Sequence, residues 1–490
     1  MTNLTLLTDL YQLTMAYGYW KLGRATGSGL ADRRAVFHLG FRKNPFGGGF
    51  AVAAGLASVM AYLREFRFTA EDTGYLATLL GNDGGPLFET AFLRYLEALR
   101  FGCDVDAVPE GTAVFGNEPL LRVRGPLLQC QLVETTLLTL VNFETLVATK
   151  AARVCLAARG EPVLEFGLRR AQGPDGGLTA SRAAYLGGCA ATSNLLAGRV
   201  YGIPVKGTHA HSWVMCFHDE PAAFAAWAEV MPNNCVLLVD TYNTLDGVRH
   251  AAAVFTALKA KGHRPAGIRL DSGDLAYLSI EARKILDAAG HSDVPILASN
   301  DLDEGIITSL KGQDAAVSVW GVGTKLVTAY DQPALGGVYK LAALEGVDGS
   351  WEHKIKLSEQ KAKTSVPGIL QVRRFRNAQG QLAGDMIYDE LTTPGGPDGG
   401  EMVDLVDITR RKPIAAGTTH EDLLVPVLRG GREVYGVPSL EESRSRARAQ
   451  LASLHGGITR MVNPHEYPVG LEGRLDDLRN GLILSLRGAH

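Results

Sequence analysis

The pattern of apolar and polar residues has helical spacing in some segments and short, strand-like apolar runs in others. The way in which these two kinds of segment follow one another changes near residues 130 and 335. Residues 8 to 23 have helical spacing and predict a first helix that begins after Thr8 or Asp9 and ends at Gly23. The apolar stripe of this helix comprises Leu10, Leu13, Ala16 and Tyr17. Residues from about 30 to 130 mix short apolar runs with turns, as in GNDGG.

From about residue 130, helical stretches alternate with short apolar runs that end in polar residues. These runs are PVLEFGLR (162–169), IPVKGTHAHS (203–212), CVLLVDTYNT (235–244), GIRLDSGD (267–274), PILASND (295–301) and SVWGVGT (318–324). A repeated strand followed by a helix predicts parallel strands joined by crossover helices. This many units in sequence favour a closed or nearly closed α/β barrel.

Past about residue 335 the alternation stops and antiparallel strands are expected. The predicted strands are GGVYKLAAL (336–344), HKIKLSE (353–359) and ILQVRRFRN (369–377), with turns at TTPGGPDGG (392–400). A capping box at Ser439 predicts a late helix to about Leu454. We therefore expect three segments: 1–130 and 336–490 forming a β-rich domain with a C-terminal helical region, and 131–335 forming the barrel.

Composition narrows the class of protein. A chain of 490 residues exceeds one ordinary hydrophobic core, and its net charge of -3 argues against a nucleic-acid-binding protein. No apolar run is long enough to cross a membrane, and the first residues do not resemble a signal peptide. Six scattered cysteines without a C-x-x-C pair indicate reduced thiols, so a cytoplasmic location is expected.

The carboxyl ends of barrel strands carry the active site in this architecture. Here they supply cationic, acidic and glycine-rich groups: Arg169, Arg170, His209, His211, Asp240, Arg269, Asp271, Asp274, Asn300, Asp301, Gly321, Gly323 and Thr324. This mixture suits a phosphorylated substrate held with a divalent cation.

Two of these groups have competing interpretations. The GVGT turn (321–324) provides free backbone N–H groups for a phosphate, or is simply a tight turn. In RLDSGD, Asp271 and Asp274 bind Mg²⁺ or ribose hydroxyls, or else Arg269 forms an ion pair while Asp274 caps the next helix.

The H-x-H pair is the third ambiguous feature. If His209 and His211 lie on a strand they point the same way, as in the zinc sites of barrel hydrolases. The later strand ends supply Asp240, Asp271 and Asp301 and no further histidine, which makes a metal site the weaker interpretation. A packed histidine suits His209, whereas His211 beside anion-binding groups suits a nucleophile or an acid/base.

Six motifs in order resemble the nicotinate phosphoribosyltransferases. They are TDLYQLTMAYGYW (8–20), EFGLRRAQGPDGG (165–177), GTHAHSWVM (207–215), LLVDTYNT (237–244), IRLDSGD (268–274) and WGVGTKL (320–326), followed by HEYPVGLE (465–472). Nicotinamide phosphoribosyltransferases share the layout with poorer motif agreement.

The resemblance implies a type II phosphoribosyltransferase fold, an α/β barrel beside a β-rich domain, and a homodimer with a shared active site. It also implies a reaction in NAD salvage. Nicotinate, 5-phosphoribosyl 1-pyrophosphate and ATP, with Mg²⁺, would give nicotinate mononucleotide, pyrophosphate, ADP and phosphate.

The resemblance also implies roles for individual residues. His211 would be the phosphorylated histidine, and Tyr11 of the partner subunit and Phe166 would cover the two faces of the pyridine ring. Arg169 and Arg170 would lie near the nicotinate carboxylate or the pyrophosphate. Arg269 would bind the phosphoribosyl substrate, Asp271 its ribose or Mg²⁺, and Gly321 with Gly323 its 5′-phosphate. Thr208, Asp240 and Thr324 complete the predicted substrate-binding set, and Asp274 is the predicted Mg²⁺ ligand.

The choice of ring substituent also has a physical argument. A carboxylate that accepts N–H bonds is the best selector for an amide, and no acidic residue lies between Ser181 and His218. Two arginines precede this stretch, so nicotinate is favoured over nicotinamide. A metal-dependent barrel hydrolase and a non-catalytic binding protein with the same fold remain as alternatives.

Overall fold

The computed structural model describes residues 3–27, 29–359 and 363–488. The chain divides into two compact units, Met1–Thr145 with Ala334–His490, and Leu146–Pro333. The predicted barrel segment, 131–335, starts earlier than the second unit. The boundary between the two units falls inside the long helix at residues 134–157, so only the second half of that helix belongs to the second unit.

The N-terminal part of the first unit mixes helices with short strands. Its elements are α1 (Leu10–Thr26), β1 (Arg34–Phe41), β2 (Ala51–Val52), α2 (Leu56–Glu65), α3 (Ala70–Leu76), α4 (Thr90–Ala98), β3 (Asp104–Ala107), β4 (Ala113–Val114), β5 (Pro119–Pro126), α5 (Leu127–Leu132) and the first half of α6 (Glu134–Ala157).

The first predicted helix is present, but its predicted end is wrong. Helix α1 begins after Asp9 and passes Gly23, ending where Gly27 takes the left-handed conformation with φ 65°. Gly23 serves close packing instead, because a Cβ atom there would lie 3.1 Å from the backbone nitrogen of Leu30. Of the predicted apolar stripe, Leu13 is buried and Leu10 is 52% exposed.

The second unit alternates strands and helices as predicted. Its elements are β6 (Val163–Glu165), α7 (Gly173–Leu186), β7 (Ala191–Thr192), α8 (Leu195–Tyr201), α9 (His211–Met215), α10 (Glu220–Val230), β8 (Val236–Leu238), α11 (Thr244–Ala260), β9 (Gly267–Leu270), α12 (Leu275–Ala288), β10 (Ile296–Ala298), α13 (Glu304–Gly312), β11 (Val319–Val322) and α14 (Thr324–Val327).

The six strands form one parallel sheet in the order β7-β6-β11-β10-β9-β8. The first strand of the unit, β6, pairs with its last, β11, and the sheet curls into a half-barrel that is open between its edge strands β7 and β8. The predicted strand at 203–212 is reduced to one bridge between Val205 and Thr192. Pro204 lacks an N–H group and Gly207 weakens a strand, which explains why the ladder stops there.

The rest of the first unit consists mainly of strands. Its elements are β12 (Gly337–Glu345), β13 (Trp351–His353), β14 (Leu370–Arg376), β15 (Leu382–Asp389), β16 (Gly400–Asp404), β17 (Arg411–Ile414), β18 (His420–Asp422), β19 (Val425–Arg429), β20 (Arg432–Glu433), α15 (Leu440–Ala452), β21 (Val469–Glu472) and α16 (Gly473–Gly488).

Most predictions for this region are confirmed. Strands β12 and β14 occupy the predicted runs, and Ser439 and Glu442 form both halves of the capping box before α15. The predicted strand at 353–359 is wrong, since β13 ends at His353 and residues 354–359 form no strand.

Strands from both chain segments share the seven-stranded sheet of the first unit. The seven-stranded sheet has the order β13-β12-β1-β5-β3-β19-β20, the six-stranded sheet β17-β16-β21-β15-β14-β18, and β2 pairs with β4. The predicted fold class, an α/β barrel with a β-rich domain built from the N-terminal and post-barrel segments, is confirmed. No helix in the described ranges is both long and apolar enough to cross a bilayer.

One fully buried ion pair holds β14 to β15. Arg374 and Asp385 face each other in register, and the guanidinium donates from Nη2 to Asp385 Oδ2 at 2.5 Å and from Nε to Oδ1 at 2.9 Å. The Tyr467 hydroxyl donates to the same carboxylate at 2.8 Å. Burial and the Asp385 charge raise the pKa of nearby Glu118 well above its usual range, which limits the negative charge facing the single arginine.

We predict that Asp385→Asn lowers the free energy of unfolding by about 3 kcal/mol or more, because it leaves the buried Arg374 cation uncompensated. Urea denaturation of the full chain measures the effect. The control is Glu466→Gln, which removes the exposed partner of Arg410 and should leave stability nearly unchanged. Equal shifts for the two variants would contradict the prediction.

Candidate active site

The predicted site residues of the barrel unit meet at the carboxyl ends of its strands. Phe166 follows β6 directly, Asp240 lies just beyond β8, Asp271 follows β9, and Gly321 lies within β11. Since the strands are parallel, these ends form one rim.

A buried carboxylate connects three segments of this rim. The side chain of Asp240 has no solvent exposure, and its Oδ1 lies 3.2 Å from Nε2 of His211. Its Oδ2 accepts hydrogen bonds from the backbone N–H of Asp271 at 3.1 Å and from the hydroxyl of Ser272 at 2.5 Å. Because a carboxylate can only accept, Nε2 of His211 carries the proton in this contact.

Arg269 joins the same rim through all of its donor nitrogens. It donates from Nε to Ser299 Oγ at 2.8 Å, from Nη1 to Thr208 Oγ1 at 3.2 Å and from Nη2 to Asp271 Oδ1 at 2.8 Å. Its Cζ atom lies 5.7 Å from the ring centroid of Phe166. The guanidinium is therefore fixed beside an aromatic ring, with only 14% of its side chain exposed.

The glycine turn after β11 packs against Phe166. A Cβ atom at Gly321 would lie 3.0 Å from the Phe166 ring, and one at Gly323 would lie 3.3 Å from the Phe166 carbonyl oxygen. Glycine thus allows the turn to approach the ring closely. Gly323 precedes α14, which begins at Thr324.

The ring also borders a cavity of about 320 Å³ inside the barrel. The lining is mostly apolar and comprises Pro162, Leu164, Phe166, Ala190, Ala191, Lys206, Gly207, Thr208, Asn234, Val236, Ala266, Gly267, Pro295, Leu297 and Val319. An apolar cavity next to a few fixed polar groups is typical of a small-molecule site.

The two histidines do not lie on a strand, contrary to the expectation from their spacing. Helix α9 begins at His211, so no strand alternation relates the two side chains. His209 is buried, its Nδ1–H donates to the carbonyl of Ala210 at 3.2 Å, and its Nε2 accepts the N–H of Leu238 at 3.2 Å. Burial, followed by the nearby Arg269 charge, lowers the pKa of His209, which keeps the ring neutral.

Asp274 caps helix α12 by accepting the backbone N–H of Tyr277 at 3.0 Å, so the capping interpretation is confirmed. Its predicted role as a Mg²⁺ ligand stays a prediction. Across the described residues no group of three or more histidine, cysteine or acidic side chains is arranged to hold a metal ion.

The remaining predicted residues are more exposed. Arg169 and Arg170 lie on an exposed 3-10 turn directly after the Phe166 segment. Tyr11 belongs to the other unit, where it lies in the first turn of α1 with 47% of its surface exposed.

Sequence reasoning missed three residues that organise the rim. Ser299 donates to the Asp271 carboxylate, and Ser272 donates to Asp240. Glu165, which is 1% exposed, accepts hydroxyl hydrogen bonds from Ser181 and Thr192 beneath the Phe166 segment. Ser299 directly follows β10, and Ser272 is the second residue after β9. Their position at strand ends is the sequence feature that could have identified them as site residues.

Comparison with known proteins assigns this arrangement to a family. The chain matches the family models of the nicotinate phosphoribosyltransferase N-terminal domain over residues 6–142 and of its C-terminal domain over residues 370–479. A nicotinate phosphoribosyltransferase of Bacillus subtilis (strain 168) is 42% identical, over 96% of this chain and 93% of the relative. The chain belongs to the nicotinate phosphoribosyltransferase family.

Other members of the family agree in sequence and in fold. The nicotinate phosphoribosyltransferase of Homo sapiens is 39% identical over 97% of this chain and 96% of its own length. The crystal structure of human nicotinic acid phosphoribosyltransferase superposes with a TM-score of 0.83, at 37% identity, covering 97% of this chain and 99% of that one. The resemblance stated from the six motifs is confirmed.

Proposed function

We propose that this protein transfers the phosphoribosyl group of 5-phosphoribosyl 1-pyrophosphate to nicotinate, and that it uses ATP through a phosphohistidine at His211. Family membership supports the reaction. The observation that carries the mechanism is the continuous chain of hydrogen bonds from His211 through Asp240 and Asp271 to Arg269. It connects a nucleophilic imidazole with an anion-binding cation on one rim.

The ring of nicotinate is proposed to bind at Phe166. Arg269 beside this ring supplies a positive charge, which favours the carboxylate of nicotinate over the neutral amide of nicotinamide. The carboxylate of Glu165 is buried and occupied by Ser181 and Thr192, so it is not available to accept the N–H groups of an amide.

The phosphoribosyl substrate is proposed to lie along the rim from Gly321 to Arg170. The turn at Gly321, Gly323 and Thr324 would receive the 5′-phosphate, and Asp271 would bind ribose hydroxyls. Arg169 and Arg170, both exposed, would face the pyrophosphate, where negative charge grows as the bond to the anomeric carbon breaks.

Mg²⁺ suits this site as an ion that arrives with the pyrophosphate. It usually binds through substrate phosphates and only one or two carboxylates, and Asp271 and Asp274 follow β9 on this rim. Asp274 is the proposed carboxylate, although one of its oxygens already caps α12. When bound, the ion would stabilise charge on the leaving pyrophosphate.

The geometry around His211 suits phosphoryl transfer from ATP. Asp240 engages Nε2–H, so the lone pair of Nδ1 is the proposed nucleophile toward the γ-phosphorus. The new bond joins Nδ1 to phosphorus, ADP leaves with the electron pair of the broken bond, and the proton stays on Nε2. The buried Asp240 carboxylate then faces the positively charged phosphoimidazolium ring. Hydrolysis of this phosphohistidine would change charge near the pyrophosphate and so couple ATP use to substrate affinity.

A homodimer with a shared site is part of the proposal. On and before α1, apolar side chains remain exposed, namely Leu7 at 45%, Leu10 at 52%, Tyr11 at 47% and Met15 at 37%. Apolar side chains grouped in this way are typical of an interface. A cytoplasmic location also belongs to the proposal and is supported by six cysteines that form no disulfide bond among the described residues.

With nicotinate and 5-phosphoribosyl 1-pyrophosphate, we predict formation of nicotinate mononucleotide, stimulated by ATP. Nicotinamide should react at least about a hundredfold more slowly, since its amide gains nothing from Arg269. Mass spectrometry of parallel reactions, with and without ATP, measures both products. Equal or faster turnover of nicotinamide would contradict the assigned substrate.

Incubation with ATP labelled at the γ-phosphate should leave an acid-labile label on the wild-type protein and none on His211→Ala. The control is His218→Ala, which removes an exposed histidine paired with its neighbour Asp219 and should not affect labelling. An unlabelled wild-type protein, or a labelled His211→Ala variant, would exclude the phosphohistidine at this position.

Tyr11→Ala should raise KM for nicotinate roughly tenfold, because the pyridine ring loses one stacking face, while labelling of His211 is unchanged. Tyr11→Phe keeps the ring and should behave like the wild type. Tyr75→Ala, at another exposed tyrosine on α3, serves as the surface control. An unchanged KM in Tyr11→Ala would count against a shared site.

A further inference from the structure

The opening of the barrel sheet lies beside the proposed nucleophile. On one side, Val205 forms the last bridge of the sheet, to Thr192, and on the other side β8 ends at Leu238. Elsewhere around the barrel, neighbouring strands are joined by backbone ladders. Something other than a ladder must therefore set the register of residues 207–211 along β8.

Two imidazoles occupy this position. His209 Nε2 accepts the backbone N–H of Leu238 at 3.2 Å, and His211 Nε2 lies 3.2 Å from Asp240 Oδ1. Both contacts have the same offset of 29 residues along the chain. The segment from 209 to 211 thus runs in register with 238 to 240, through side chains instead of backbone groups.

His209 is held in a single state by its surroundings. Its Nδ1–H is used by the Ala210 carbonyl and its Nε2 lone pair by Leu238, which fixes the neutral tautomer with the proton on Nδ1. The ring packs edge-on against Trp227, with centroids 5.1 Å apart. With both nitrogens engaged and 6% of the residue exposed, His209 has no nitrogen for a substrate.

We propose that His209 is a positioning residue, whose Nε2 accepts the Leu238 amide and so holds the start of α9 where His211 meets Asp240. The proposal rests on the proposed phosphorylation of His211. The rigid link is short, because only Ala210 separates the two histidines and it is the N-cap of α9. A shift of the segment along β8 would move Nε2 of His211 away from the buried carboxylate.

Two roles of His209 must be separated: packing of its ring against Trp227, and acceptance of the Leu238 N–H by its Nε2. His209→Phe keeps an aromatic ring against Trp227 and removes the acceptor. His209→Gln removes the ring but places an amide oxygen near the position of Nε2, so the Leu238 N–H keeps a partner. Packing alone predicts that Phe is the milder change, whereas positioning through the hydrogen bond predicts that Gln is milder.

The test is the rate of phosphohistidine formation from γ-labelled ATP in the full-length protein. We expect His209→Phe to slow labelling roughly ten- to hundredfold through misplacement of His211, and His209→Gln to recover most of the wild-type rate. Thermal unfolding of each variant monitors the fold. If His209→Phe does not fold, His209→Leu replaces it, since leucine matches glutamine in size and lacks the acceptor.

The possible outcomes separate the two levels of the proposal. An unlabelled wild-type protein removes the phosphohistidine itself. A labelled wild type with unimpaired His209→Phe overturns the positioning role and leaves the phosphohistidine intact. Equal slowing in the Phe and Gln variants also overturns it, because the acceptor would then not be what matters. His218→Phe, at an exposed histidine with 80% side-chain exposure, should label at the wild-type rate.

Discussion

A carboxylate without solvent exposure must be surrounded by donors, and Asp240 is the one on which the rim of the barrel depends. Its three donors come from two other segments: the imidazole of His211 from one, and the backbone N–H of Asp271 with the hydroxyl of Ser272 from the other. Removing any donor would leave a buried charge less compensated. The same bonds that stabilise the carboxylate therefore fix the proposed nucleophile relative to the end of β9.

Arg269 links this hydrogen-bonded carboxylate to Phe166, where the nicotinate ring is proposed to bind. It contacts Asp271, which is bonded to Asp240, and it also lies beside Phe166. One cation thus faces both the aromatic platform proposed for nicotinate and the acidic turn proposed for the ribose. Since both proposed substrates carry negative charge, a single fixed guanidinium can orient them toward each other. Its hydrogen bonds to Ser299 and Thr208 hold the guanidinium in place when either substrate binds.

The repeated strand and helix pattern could be predicted from the sequence, whereas features that depend on contacts between distant residues could not. Strand runs such as GIRLDSGD have apolar cores and polar ends, so both the barrel and the rim residues could be found from the pattern. Strand β7 has two residues, too few for a periodic signal, and the alternating HKIKLSE run is not a strand beyond His353. Glycine is common at helix ends, which is why the sequence predicts that Gly23 ends α1. In the structure it instead leaves room for the backbone of Leu30, a contact that only the folded chain defines. The roles of Ser272 and Ser299 likewise require knowing which strands are neighbours.

The two histidines show why residue type and spacing were not enough. They are chemically identical and two positions apart, but a backbone N–H takes the Nε2 lone pair of one, and a carboxylate takes the Nε2 proton of the other. The first contact places the proton on Nδ1 and leaves no free lone pair. The second places the proton on Nε2, leaves the Nδ1 lone pair for a phosphorus atom and sets a negative charge where the ring becomes positive. The difference in proposed reactivity therefore comes from the end of β8, which presents an amide to one imidazole and Asp240 to the next.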